Sequence, residues 1–141
     1  MTSTDRFYRT ELLLGAASME RLRASTVAVF GVGGVGSFTV EALARVGIGR
    51  LILIDHDVVD VTNINRQLHA TTGTIGQSKT ALMTRRILEI NPDARVETID
   101  EFYLPTSDAD KFFVADYDCV VDAIDTKGGK IGLAVECDRR G

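Results

Sequence analysis

The stretch Thr26-Val27-Ala28-Val29-Phe30-Gly31-Val32-Gly33-Gly34-Val35-Gly36 decides the fold. Its first five residues form an apolar, β-branched run of the kind that makes a strand buried on both faces. Beyond the glycines, Val35, Phe38, Leu43 and Val46 recur at helical spacing, which predicts a helix over 35–46. Gly31, Gly33 and Gly36 then stand at a strand-to-helix turn. Without a Cβ they permit a tight turn, close approach of backbone to a phosphate and close packing of helix on strand. The helix start adds free N–H groups and the positive end of its dipole. The loop reads as a nucleotide cradle; the alternative is glycines kept for packing alone.

Arg50-Leu51-Ile52-Leu53-Ile54 reads as a second parallel strand, with Asp55 at its carboxyl end at the distance expected of a ribose contact. To this point a dinucleotide dehydrogenase fits as well. Asp57, Asn63, Arg66, Gln67 and Lys79 then arrive within one short span. A nicotinamide pyrophosphate carries few charges, and a helix end neutralises much of them. Adding Arg66 and Lys79 suits a triphosphate attacked at phosphorus better. The alternative is that both are solvated helix-face charges.

The rest of the chain alternates in the same way. A first helix is expected over 5–23, with Leu12, Leu13, Leu14, Met19 and Leu22 as its apolar positions. A short irregular or helical stretch over 63–69 precedes a helix over 79–90, which Asn91-Pro92 ends because the residue before proline avoids helical geometry. A third strand follows over 95–99, a short helix over 107–114 capped by Ser107 or Asp108, a fourth strand over 117–121 and a last helix over 126–139. Right-handed crossovers give an α/β, Rossmann-like three-layer sandwich with a mainly parallel sheet ordered 3-2-1-4 and the site at its carboxyl edge. One domain spans 1–141. Asp122 and Asp125 fall at the end of strand four, where a single carboxylate with phosphate oxygens and water can hold magnesium. Alternatively, Asp125-Thr126 caps the next helix.

The chain has 141 residues, 45% hydrophobic and 26% charged, with a net charge of −4. These values fit a cytoplasmic enzyme domain. No apolar run approaches the ~18 residues of a membrane span, and no cationic and apolar leader opens the sequence. No Lys/Arg cluster points to RNA. Cys119 reads as a small buried hydrophobe, and Cys137 lies on the last helix; their separation excludes a C-x-x-C motif. His69 reads as structural, and His56 as a shaper of an adenosine pocket.

Together with these motifs, Arg6-Phe7-Tyr8-Arg9, Asp55-x-Asp57-x-Val59, Asn63-x-x-Arg66-Gln67, Gly76-Gln77-Ser78-Lys79, Asn91-Pro92 and Val121-Asp122-Ala123-Ile124-Asp125 resemble the adenylation domain of the ubiquitin-activating-enzyme superfamily, the ThiF-type adenylyltransferases. Thr10-Glu11-Leu12-Leu13-Leu14-Gly15, Gly49-Arg50-Leu51, Asn63-Ile64-Asn65-Arg66-Gln67-Leu68-His69-Ala70 and Val121-Asp122-Ala123-Ile124-Asp125-Thr126 bring the likeness nearest to the tRNA threonylcarbamoyladenosine dehydratases. The resemblance implies ATP and Mg2+ as cofactors. It implies a nucleotide-binding set of Gly31, Gly33, Gly34, Gly36, Asp55, Asp57, Asn63, Arg66 and Lys79, with Asp55 on the ribose and Asn63, Arg66 and Lys79 on phosphates. Asp125 would hold the metal, and Arg9 would reach the triphosphate of a second subunit, so a homodimer is expected. Arg66, Lys79 and Arg9 would then be the catalytic cations. tRNA is the expected substrate, with activation of a sulfur-carrier protein, or work alongside a cysteine-desulfurase system, as alternatives. An NAD-dependent oxidoreductase and a non-catalytic ATP-binding fragment complete them.

Two features depart from that pattern. The chain stops at Asp138-Arg139-Arg140-Gly141, where relatives continue into a second half, so ATP binding without full turnover is expected and strand four would be left as a sheet edge. Lys127-Gly128-Gly129-Lys130 places two glycines early in a helix, at about 1 kcal/mol each relative to alanine.

Overall fold

In place of the single helix expected over 5–23 stand two, α1 (Tyr8–Leu14) and α2 (Ala16–Ala24), broken where the chain turns at Gly15. The computed structural model describes residues 5–141, so Met1 to Thr4 of the expected domain lie outside the described residues. The break changes which side chains are buried. Phe7 and Met19 pack against Gly47, while Leu12, Leu13 and Leu14, expected as packing positions, are 67%, 83% and 43% exposed.

Strands β1 (Thr26–Phe30), β2 (Arg50–Ile54), β3 (Arg95–Ile99) and β4 (Cys119–Asp122) form one parallel sheet ordered β3-β2-β1-β4, as expected. Helices α3 (Gly34–Val46), α4 (Lys79–Ile90) and α5 (Lys127–Arg140) complete the α/β layers. Because strand side chains alternate, Val27, Val29, Leu51 and Leu53 meet Val40 and Ala44 of α3 and Met83 and Ile87 of α4. Ala28, Phe30, Ile52 and Ile54 turn the other way, onto Tyr103, Phe112 and Leu133. The two central strands are therefore apolar after their first residues, Thr26 and Arg50, as strands covered on both faces must be.

Three local expectations are corrected. On α3 the buried residues are Gly36, Ser37, Val40 and Ala44, while Val35 and Phe38 are 71% and 53% exposed. Gly36 and Ser37 let the start of α3 approach β1, so Val35 and Phe38 turn outward there, while Leu43 and Val46 pack partly against the core as expected. Cys119 is exposed, because β4 pairs only with β1 and forms the sheet's edge. The helix expected over 107–114 contracts to a 3-10 turn, Ala109–Lys111, capped by Asp108.

Glu41 ties α3 to α4. Arg86 donates to both of its carboxylate oxygens at 2.7 and 2.9 Å, and Arg45 adds a third bond at 2.8 Å. These bonds, Arg86's foremost, hold the Glu41 carboxyl down at about 2 against 4.5 ordinarily, despite its desolvation. A depressed carboxylate contributes stability above its unfolded pKa and loses it as the pH falls through the folded one. Glu41→Gln is therefore expected to cost about 1 kcal/mol at neutral pH, since both arginines are partly solvated. In urea unfolding, its deficit against wild type should shrink as the pH falls from 4.5 towards about 2.

Candidate functional site

The loops that leave the carboxyl ends of the four strands enclose a cavity of about 260 Å³. It lies between the parallel strands β1 and β4, where the strand order reverses, the place where open α/β sheets bind ligands. The β1 loop forms its floor. Gly31 has φ 93, and a Cβ there would stand 2.5 Å from the Ala123 carbonyl oxygen, while one on Gly36 would collide with the carbonyl of Gly31. The N-cap of α3 is Gly33, which has no side chain to satisfy the first N–H groups of the helix. Those donors and the positive end of the dipole are left for an anion.

Asp55 joins this loop to the next. Its Oδ2 accepts the Val32 N–H and its Oδ1 the Asp57 N–H, both at 2.8 Å, with the residue 9% exposed. Lys79 is the first residue of α4, which Ser78 caps by accepting the Ala81 N–H at 3.2 Å. Its own N–H donates to the Asp57 carbonyl at 3.1 Å. The residue is 5% exposed, with Nζ 3.5 Å from Asp57 Oδ2. Burial of this kind around a cation is costly unless it is paired. The cavity therefore holds a nearly dry ammonium group beside unpaired backbone donors.

The expected site residues separate into groups. Gly31, Gly33, Asp55, Asp57, Lys79 and Asp125 line the cavity. Gly34 and Gly36 lie beneath it in the first turn of α3. Asn63 is buried beside the loop, but its Oδ1 accepts the Asp60 N–H at 2.9 Å, which leaves only its amide nitrogen for a ligand. The methylenes of Arg66 cover Gly34, while its exposed guanidinium donates to the Thr62 carbonyl at 2.9 Å and to Asn65 at 3.0 Å. Asp122 accepts from the Ile124 N–H and pairs with Lys130 at 3.1 Å, whereas Asp125 has no bonding partner among the described residues. Thr126, not Asp125, caps α5 by accepting the Gly129 N–H.

Arg9 is not at this site. Phe7 packs under Gly47 and Arg6 donates to Asn91 and Asp93, and these partners directly precede β2 and β3. The helix carrying Arg9 thus sits at the amino ends of the strands, roughly 15 Å of sheet away from the cavity.

His69 is structural, as expected. Its Nε2 donates to the Val32 carbonyl at 2.8 Å, and burial pushes its pKa down. His56 lies tilted against Phe102, with ring centroids 3.4 Å apart, and its Nδ1 stands 3.1 Å from an Asp57 carboxylate oxygen. Phe102, Tyr103 and Leu104, which wall the cavity opposite the glycine loop, are absent from the sequence-derived site. Their one available signal is an apolar and aromatic triplet separated from strand three by Asp100 and Glu101, near the carboxyl edge.

A profile of the ThiF family matches residues 5–141. The chain is 52% identical over 134 residues to the tRNA threonylcarbamoyladenosine dehydratase of Bacillus subtilis, covering 95% of this chain and 52% of that protein. It is 42% identical to the Escherichia coli dehydratase, covering 95% and 50%. Ubiquitin-like modifier-activating enzyme 5 of Drosophila pseudoobscura pseudoobscura is 39% identical, over 86% of this chain and 33% of that protein. Among solved structures, the E. coli tRNA N6-threonylcarbamoyladenosine dehydratase in complex with ATP superposes with a TM-score of 0.92 at 41% identity, covering 96% of this chain and 55% of that one. The chain thus spans about half the length of the curated dehydratases it matches.

The contact between Gly31 and Gly36 leaves no room for a methyl group. Gly36→Ala is expected to destabilise the protein by about 1–3 kcal/mol through overpacking. Gly73→Ala, on an exposed turn with only Thr71 Oγ1 within 4.0 Å, should stay within about 0.5 kcal/mol of wild type in the same denaturant titration.

Proposed function

From the premise that this chain belongs to the ThiF family, we propose that it binds ATP and that the protein adenylates a substrate carboxylate. The observation that carries the reading is the buried Lys79 ammonium facing the same cavity as the glycine loop and an unpartnered Asp125. A phosphate chain would add anionic oxygens to a lysine whose one ion-pair partner among the described residues is Asp57, at 3.5 Å. The apolar wall of Phe102 and Leu104, with Ile54 and Ile124, suits a purine. Asp55, its two oxygens already oriented by backbone donors, retains lone pairs for ribose hydroxyls.

In the reaction a carboxylate oxygen attacks the α-phosphorus and pyrophosphate leaves, giving an acyl adenylate. Negative charge grows on the equatorial and leaving oxygens, where Lys79 and Arg66 stabilise it; Arg66 must first release Thr62 and Asn65. Asp125 is the residue that would hold Mg2+, since Asp122 is committed to Lys130 and to the turn. The ion would neutralise phosphate charge. Arg9 would serve a neighbouring copy's site, because α1 lies at the far end of its own sheet and leaves Leu12 and Leu13 outward for a homodimer contact.

Identity to the bacterial dehydratases favours threonylcarbamoyladenosine in tRNA as the substrate. Its threonyl carboxylate would be activated, an internal nucleophile would attack the acyl carbon, and AMP would leave. This second step needs no protein nucleophile. Ligand choice separates the reading from a dehydrogenase: ATP with magnesium should raise the melting temperature of this chain and NAD should not. Lys79→Met should weaken ATP binding by 10-fold or more, about 1.4 kcal/mol, while the chain stays folded. Stabilisation by NAD alone, or unchanged ATP affinity in Lys79→Met, would overturn the proposal. For the full-length protein, AMP release stimulated by the modified tRNA, and not by a carrier protein ending in Gly-Gly, identifies the substrate.

A further inference from the structure

Phe102 stands on the cavity wall, yet it is 54% exposed and the segment that carries it is loosely tied: residues 101–103 make no backbone hydrogen bond among the described residues. Its neighbour Tyr103 is fixed in the core, edge-on to Phe30 and Phe112 with ring centroids 5.5 and 5.2 Å away. The ring contact of Phe102 is with His56 alone among the described residues. Those two centroids are 3.4 Å apart, against 5.2 to 6.2 Å for the other ring pairs described.

His56 comes from the well-held side of the cavity. Asp55 Oδ1 accepts the Asp57 N–H at 2.8 Å, which closes a turn around His56, and the Asp57 carbonyl accepts from the Lys79 N–H at 3.1 Å. The imidazole is oriented as well, its Nδ1 3.1 Å from Asp57 Oδ1, while Oδ2 of the same carboxylate stands 3.5 Å from Lys79 Nζ. His56 does not line the cavity, whereas Phe102 and Asp57 do. It therefore bears on Phe102 from outside. An exposed aromatic side chain that turns freely must be ordered when a ligand packs on it, and that ordering subtracts from affinity. A ring already held in place has less to lose.

We propose that His56 is a positioning residue for the base-binding wall: oriented by Asp57, it holds the Phe102 ring at the cavity so that a purine meets a face ordered in advance. It acts through Phe102 and not on the nucleotide. The inference rests on the nucleotide reading above and adds to it the residue that ties the loose wall to the fixed turn after β2.

The test compares His56→Ala, Phe102→Ala and the double variant with wild type in calorimetric titrations against ATP, adenosine and inorganic tripolyphosphate, with ligand-free melting measured alongside. H56A should bind adenosine and ATP about 3- to 10-fold more weakly, the range of an aromatic pair contact. Its tripolyphosphate affinity should be unchanged, because Lys79 keeps its place at the start of α4, and its ligand-free melting temperature should not move, because the ring is exposed. F102A should lose at least as much for adenosine, and the double variant no more than F102A, since without Phe102 the imidazole has nothing to hold. Undiminished adenosine binding in H56A would overturn the proposal, as would an equal loss for tripolyphosphate, which would place the effect on the phosphate side. Additive losses in the double variant would mean that His56 meets the base itself, and a lowered ligand-free melting temperature in H56A would make it a folding residue; either overturns it too. Failure of wild type to bind ATP would overturn the nucleotide reading itself, and this inference with it.

Discussion

The carboxylate of Asp55 is the constraint on which the rest of the site depends. One oxygen fixes the Val32 N–H and the other the Asp57 N–H, so a single side chain at the end of β2 sets the paths of two loops. The first path brings Gly31 against Ala123 and Gly36 against Gly31, presenting the start of α3 to the cavity. The second carries Asp57 to Ser78 and Lys79, through the Asp57 carbonyl and the bridge between Val58 and Ser78. Anion donors from two different helices converge because they hang from one carboxylate.

Local pattern made the architecture legible. The apolar runs 26–30 and 50–54, the helix over 79–90 and the third strand all lie where their sequence places them, since period, proline and caps are local signals. What misled was the choice of face. Large apolar side chains at helical spacing, Val35 and Phe38, suggest a packed stripe, but a helix pressed onto a strand through Gly36 must bury its small residues and turn the large ones away. Leu12 to Leu14 are the same error in another form. Hydrophobicity reports that a face is covered by something, and in α1 nothing within the described chain covers those leucines.

The site was legible as residue types and not as geometry. Asp55, Lys79 and the glycines carry their chemistry in motif spacing. The opposite wall does not, because Phe102 to Leu104 stand in an irregular segment after β3 that carries no periodic or motif signal. Arg9 shows the reverse limit. Its motif is visible, yet only the packing of Phe7 and Arg6 at the amino ends of the strands reveals that it faces away from its own cavity.

The glycines of α5 follow from the same geometry. Gly128, Gly129 and Gly132 weaken a helix interior, and local propensity alone counts them as a loss. In the fold, Pro105 lies 3.4 Å from the Cβ positions of both Gly128 and Gly132, and a Cβ on Gly129 would press on Thr126 Oγ1 and Ile124 at 2.7 and 2.9 Å. The segment that begins with Phe102 can close the cavity only if α5 offers it a bare surface. The helix must also start at once after Asp125, with Thr126 as its cap, for that carboxylate to stand free at the cavity's edge. Helical stability is given up along one short face so that the apolar wall and the acidic residue can stand on either side of the same cavity.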